Sequence, residues 1–97
     1  MEKLQPDELR WLLRDLDGWL ELGDAIHKDF TFPGFGGAIA FVNRIAELAT
    51  EAGHHPDLEI HYNRVVVSLS THDAGGVTQR DVDMASRVDA VVGTGDA

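Results

Sequence analysis

The chain has no cysteine, which excludes disulfides, thiolate metal sites and thiol nucleophiles together. Basic residues are scarce as well: 8 Lys and Arg stand against 17 Asp and Glu, a formal net charge of −9. The acids are spread along the chain rather than gathered in a tail, and no basic stripe offsets them. A surface of that sign repels a phosphate backbone, so no direct nucleic-acid partner is expected. No apolar run approaches the roughly 18 residues read as a membrane span, so no membrane partner is expected either. The opening Met1-Glu2-Lys3-Leu4-Gln5-Pro6 turns polar at once, unlike a signal peptide, and the expected compartment is cytoplasmic. A length of 97 residues suits one core, hence a single domain over 1–97.

The pattern that is present reads as α-β-β-α-β-β-α. Pro6 suits a first helical position, Asp7 and Glu8 suit the positive end of the dipole, and Leu9, Leu12, Leu13 and Leu16 recur at helical spacing. Asp17-Gly18 closes this helix. Residues 19–22 and 25–32 form a hairpin around Gly23-Asp24, with Ile26, Phe30 and Phe32 on one face and His27, Asp29 and Thr31 on the other. After Pro33-Gly34 a long helix covers residues 35–52, and Gly53 stands where a left-handed cap belongs. A second hairpin pairs 58–62 with 64–70. A last helix begins at Thr78, where Thr78 and Asp81 make a capping box and Val77 and Val82 a hydrophobic staple. Residues 93–97 are expected to be a frayed tail. The fold class is α+β, with helices packed on one face of a four-stranded antiparallel sheet.

The long helix is apolar over more than one stripe. Phe35, Ala38, Val42, Ile45 and Ala49 make a seam, and Phe41, Leu48 and Ala52 widen it. That is more than one sheet hides, so a homo-oligomer is expected, with Phe41 and Leu48 in the uncovered strip.

Three of the five histidines stand at element ends: His54 and His55 past the long helix, His72 past the last strand. With cysteine absent and no nucleophile-elbow serine, histidine and carboxylate are the available acid–base groups. An adjacent histidine pair could equally cap the helix carbonyls. A metal site is not expected, because neighbouring histidines rarely aim at one ion and no His-x-x-x-His or His-x-Glu spacing occurs.

The run Gly53-His54-His55-Pro56-Asp57, then Tyr62-Asn63, then Ser68-Leu69-Ser70-Thr71-His72-Asp73, then Gly75-Gly76-Val77-Thr78 and Asp81 resembles the signature of the pterin-4a-carbinolamine dehydratases. Trp19, Asp24-Ala25-Ile26, Phe30, Phe32, Phe35 and Phe41 add to the resemblance, which extends from Leu9 to Val92. It implies a hydro-lyase acting on a 4a-hydroxytetrahydropterin, with His54 and His72 as acid–base groups and His55 chiefly contacting the pterin. It also implies that Gly53, Pro56, Ser70, Thr71, Asp73 and, nearby, Trp19 line the substrate. It further implies assembly as a dimer or a homotetramer. No cofactor is expected, since the pterin is the substrate and its carbon skeleton undergoes no net redox change. One position departs from the family: many members carry an acid four residues before the first histidine, and this chain has Thr50. Glu51, one step on, is rotated by about 100° on a helix. Asp81 is read as a helix cap and no more.

Overall fold

The structure, a computed structural model, describes residues 2–95. Helix α1 spans Pro6–Leu13 and opens with the Gln5 amide donating to the Glu8 carboxylate at 3.0 Å. It stops short of Leu16, because Asp15, Asp17 and Gly18 favour turns over helix. Tight turns carry the chain on, with Leu16 N–H donating to Leu13 O and Trp19 N–H to Leu16 O.

Strands β1 (Leu20–Leu22), β2 (Ala25–Thr31), β3 (Asp57–His61) and β4 (Arg64–Leu69) form one antiparallel sheet in the order β1-β2-β4-β3. Helices α2 (Phe35–Ala52) and α3 (Gln79–Gly95) cover one face. The element order and the fold class are those the sequence pattern gives, with strand boundaries displaced by about one residue. A 3-10 turn over His72–Ala74 was not expected. The described part of α3 continues past Gly93, where the frayed tail was placed; residues 96 and 97 lie outside the described residues.

The core follows the two periodicities. Ile26 and Phe30 of β2 and Val65, Val67 and Leu69 of β4 point inward at every second position. Ala38, Phe41, Ile45 and Ala49 meet them from α2 at helical spacing, and Met84, Ala85 and Val88 from α3. Phe41 overturns one expectation. It is 1% exposed, its ring 4.8 Å from that of Phe30 and 5.0 Å from that of Phe32. It belongs to this chain's own core, where burying a side chain of that size contributes about 2–3 kcal/mol. Leu48 is half-buried against the same core. The apolar surface that α2 keeps open is a different stripe, running from exposed Phe35 through half-buried Ile39 to exposed Ala46.

Lys28 lies between Ile26 and Phe30 on the inner face of β2. Its ammonium reaches the Asp89 carboxylate of α3 at 2.9 Å and sits 5.0 Å from the Phe30 ring centre. Its stem passes Gly18, where an added Cβ would lie 2.9 Å from Lys28 Cε and where φ is 86°. The left-handed φ is what calls for glycine there, since the end of the Lys28 side chain could shift aside. Trp19, 3% exposed, donates from Nε1 to the same Asp89 carboxylate at 3.1 Å.

Candidate active site

Sheet register brings the histidines together. The antiparallel pairing of β3 with β4 sets Asp57 opposite Ser68. The segment entering β3 (His54-His55-Pro56) and the segment leaving β4 (Ser70-Thr71-His72) therefore lie at one end of the sheet. The Ser70 hydroxyl donates to the Asp24 carbonyl at 2.7 Å, which fastens that end to the β1–β2 turn. Gly53, at φ 63° and ψ 31°, ends α2 in the left-handed region and turns the chain toward the sheet.

Between these segments lies a cleft of about 370 Å³ lined by Gly53, His54, His55, Pro56, Ser70, Thr71, His72 and Asp73, together with Asp57 and Arg80. Every residue expected to line the substrate is there except Trp19, which is a core residue bound to Asp89 and absent from the cleft lining. A larger groove of about 610 Å³ runs between Phe32, Gly37, Ala40 and Val91, but it offers no histidine or carboxylate. Chemistry favours the smaller cleft.

The three histidines differ in setting. His55 and His72 are exposed, whereas His54 is 8% exposed and its Nε2 is hydrogen-bonded to Oδ1 of Asp81. Asp81 is fully buried, and its Oδ2 accepts the Thr71 hydroxyl at 2.8 Å and the Thr78 amide at 2.9 Å. The Thr78 hydroxyl, which accepts the Arg80 amide at 3.2 Å, lies 2.9 Å from the Thr71 hydroxyl. The protons thus run one way, from the Arg80 amide to Thr78, to Thr71, to Asp81. Because the carboxylate accepts, a neutral His54 ring carries its proton on Nε2 and its lone pair on Nδ1. A ring oriented by a buried carboxylate, beside two solvent-reached imidazoles, is equipped to take and give protons.

Asp81 is the residue that sequence reasoning undervalued. The cap exists, but it uses one carboxylate oxygen and leaves the other for His54. The available signal was its position between Val77 and Val82, both buried, since a carboxylate in an apolar setting needs a partner for each oxygen. Position 50 does not hold His54 in this chain. Thr50 is exposed and its hydroxyl donates back to the Ala46 carbonyl at 2.9 Å, while Glu51 pairs with Arg87 of α3 at 2.8 Å. Among the described residues, no group of three His, Asp or Glu side chains is placed to hold a metal ion. Nor is any helix long and apolar enough to cross a membrane.

The family model for pterin 4 alpha carbinolamine dehydratase matches residues 2–91. This chain belongs to that family. A Thermosynechococcus vestitus protein named for the family is 52% identical over 84 residues, 87% of this chain and 88% of its own length. A Roseiflexus relative with the same family name is 48% identical over 93% of this chain and 97% of its own. The solved structure of a transcriptional coactivator/pterin dehydratase from Brucella melitensis superposes with a TM-score of 0.90 at 38% identity, covering 93% of this chain and 98% of that one. A more distant likeness is a pterin dehydratase-like protein described as a RuBisCO assembly factor of the alpha-carboxysome. Its TM-score is 0.65 at 25% identity, over 77% of this chain and 87% of that one.

Proposed function

We propose that this pterin dehydratase family member is an active hydro-lyase. It removes water from 4a-hydroxytetrahydrobiopterin to give the quinonoid dihydropterin, in recycling of the pterin cofactor of an aromatic amino acid hydroxylase. The observation that carries the reading is the His54–Asp81 pair beside exposed His55 and His72 in one cleft. In the reaction the C4a–O bond breaks, the N5 proton leaves and a C4a–N5 double bond forms. His54 takes the N5 proton on Nδ1, since its resulting positive charge rests against the Asp81 carboxylate. His72 delivers a proton to the departing hydroxyl, and His55 holds the ring. Imidazole, with an ordinary pKa of about 6.5, serves in either direction near neutral pH. The chain is cytoplasmic in this reading and works as a homo-oligomer, a dimer or a tetramer.

A second reading is a binding or assembly module without catalysis; the carboxysomal relative is described as a RuBisCO assembly factor. Stopped-flow measurement of carbinolamine dehydration with purified protein separates the two. The enzyme reading expects a rate that rises in proportion to protein concentration. A folded protein that leaves the spontaneous rate unchanged overturns it and favours the module.

A further inference from the structure

Helix α2 ends without a basic residue in its last turn, so its final carbonyls need partners from elsewhere. One side chain of α3 supplies them. Nη2 of Arg80 donates to the Gly53 carbonyl at 2.9 Å and lies 3.4 Å from that of Ala52. The next residue, Asp81, accepts the His54 ring. Two consecutive residues in the first turn of α3 thus grip two consecutive residues at the end of α2, one by its backbone and one by its side chain.

The space around His54 gives this grip a purpose. Next to the histidine cleft lies a second, half-open pocket of about 230 Å³, bounded by Ala52, Asp83, Met84 and Arg87. Only His54 and Arg80 line both spaces. His54 and Arg80 thus stand together at the border of the two spaces. The Asp81 hydrogen bond fixes one ring nitrogen, and the direction of the ring then depends on the turn that carries it. Gly53, with no side chain to pack, cannot pin it alone.

We infer that Arg80 is a positioning residue: by holding the Gly53 carbonyl it keeps His54 facing the cleft in register with Asp81. The inference rests on the proposed dehydratase reading for its effect on rate, and on geometry alone for its effect on His54. Arg80 is not needed to keep the helices docked, because Phe41 and Ile45 of α2 share the buried core with Met84, Ala85 and Val88 of α3, and the exposed Arg87–Glu51 ion pair also joins the two helices. That pair provides the control.

The test compares Arg80→Gln, Arg80→Lys and Arg87→Gln with the unaltered protein. The measurements are kcat and KM for dehydration, thermal melting, and the His54 Nε2–H resonance in nitrogen-15 histidine-labelled protein. Arg80→Gln is expected to lower kcat about ten- to a hundredfold, the scale of a small misplacement of a catalytic group, with KM within about threefold. It is also expected to broaden or abolish the His54 resonance. Arg80→Lys keeps a donor and a charge and is expected to recover part of both. Arg87→Gln, which removes an exposed ion pair, is expected to change the melting temperature little and to leave kcat and the resonance near those of the unaltered protein. The inference is overturned if Arg80→Gln leaves kcat and the resonance unchanged. It is also overturned if Arg80→Gln and Arg87→Gln lose rate alike, in step with their melting temperatures. Should the unaltered protein show no dehydration, the functional reading fails, and the resonance alone decides: lost in Arg80→Gln but kept in Arg87→Gln, it upholds the positioning role.

Discussion

The Thr71 hydroxyl donates to the Asp81 carboxylate at 2.8 Å in a fully enclosed contact, joining the segment that carries His72 to the helix that holds His54. Loss of either partner should be felt at both histidines. Thr71→Val removes one donor from a carboxylate that keeps two others and should cost about 1–2 kcal/mol. Asp81→Ala leaves the Thr71 hydroxyl, the Thr78 amide and the His54 ring without their acceptor, and should cost about 3 kcal/mol or more. Urea unfolding measures both. If Asp81→Ala were no more costly than Thr71→Val, the carboxylate would be only the cap that sequence suggested.

Alanine substitutions at the histidines should separate their roles. His54→Ala and His72→Ala should each slow dehydration by about a hundredfold or more, the usual range for an acid–base group. The double variant should approach the spontaneous rate. His55→Ala should chiefly raise KM. Steady-state kinetics on the three single variants decides this, and wild-type behaviour in all three would remove the cleft as the active site.

Thr50→Glu restores the acid common in the family, yet Asp81 already occupies Nε2 of His54. The substitution should therefore leave kcat within about threefold of the starting value, because the orienting hydrogen bond is already made. A tenfold gain would show that Asp81 alone does not complete the support of His54. The experiment is a rate measurement with the single variant.

Most of the fold was legible because its patterns are local. The alternation of Ile26, Phe30 and Phe32, the 3.6-residue spacing in α2 and the glycine at position 53 each announce their element without reference to the rest of the chain. The clustering of His54, His55 and His72 depended instead on sheet order. Spacing alone cannot place the start of β3 beside the end of β4 until the hairpin register is known. Two further features were hidden for the same reason. Asp81 has a sufficient local explanation in its capping box, and nothing near it in sequence points to His54. Phe41 was assigned to an uncovered strip because helix periodicity counts apolar positions but does not say how far Phe30 of β2 and Phe32 just beyond it reach. Trp19 was drawn to the substrate by resemblance, whereas its indole N–H is committed to Asp89.

That commitment predicts a stability effect away from the cleft. Asp89→Ala deprives both Lys28 Nζ and Trp19 Nε1 of their acceptor, in a site where the ion-pair side chains are 21% and 28% exposed. Partial exposure lets water screen the stranded ammonium, so the cost should be about 2 kcal/mol rather than that of a fully buried pair. The cleft should keep its activity at temperatures below the lowered melting point. Calorimetry together with a rate assay checks both halves.

Self-association should be detectable at micromolar concentration by sedimentation equilibrium. The α2 stripe from Phe35 to Ala46, with Phe35 52% exposed, is the surface expected to meet a second copy. Phe35→Asp should reduce the mass of the assembly while leaving the far-ultraviolet circular dichroism unchanged. A monomeric mass for the unaltered chain would defeat the expectation. Leu48→Asp is the poorer test, because Leu48 is packed against this chain's own core.

Every side chain that lines the cleft, and the carboxylate behind it, comes from the stretch between Gly53 and Asp81. Among the described residues, the first half of the chain, including the longest helix, adds no side chain to the cleft lining and hydrogen-bonds to it through the Asp24 carbonyl and the carbonyl that ends α2. Such a site is inherited as one uninterrupted passage. Substitutions upstream alter the platform on which it rests, and recombination at Gly53 would carry the whole wall across intact. During folding the two histidine segments are joined by a short hairpin, so their meeting requires closure of only a small loop.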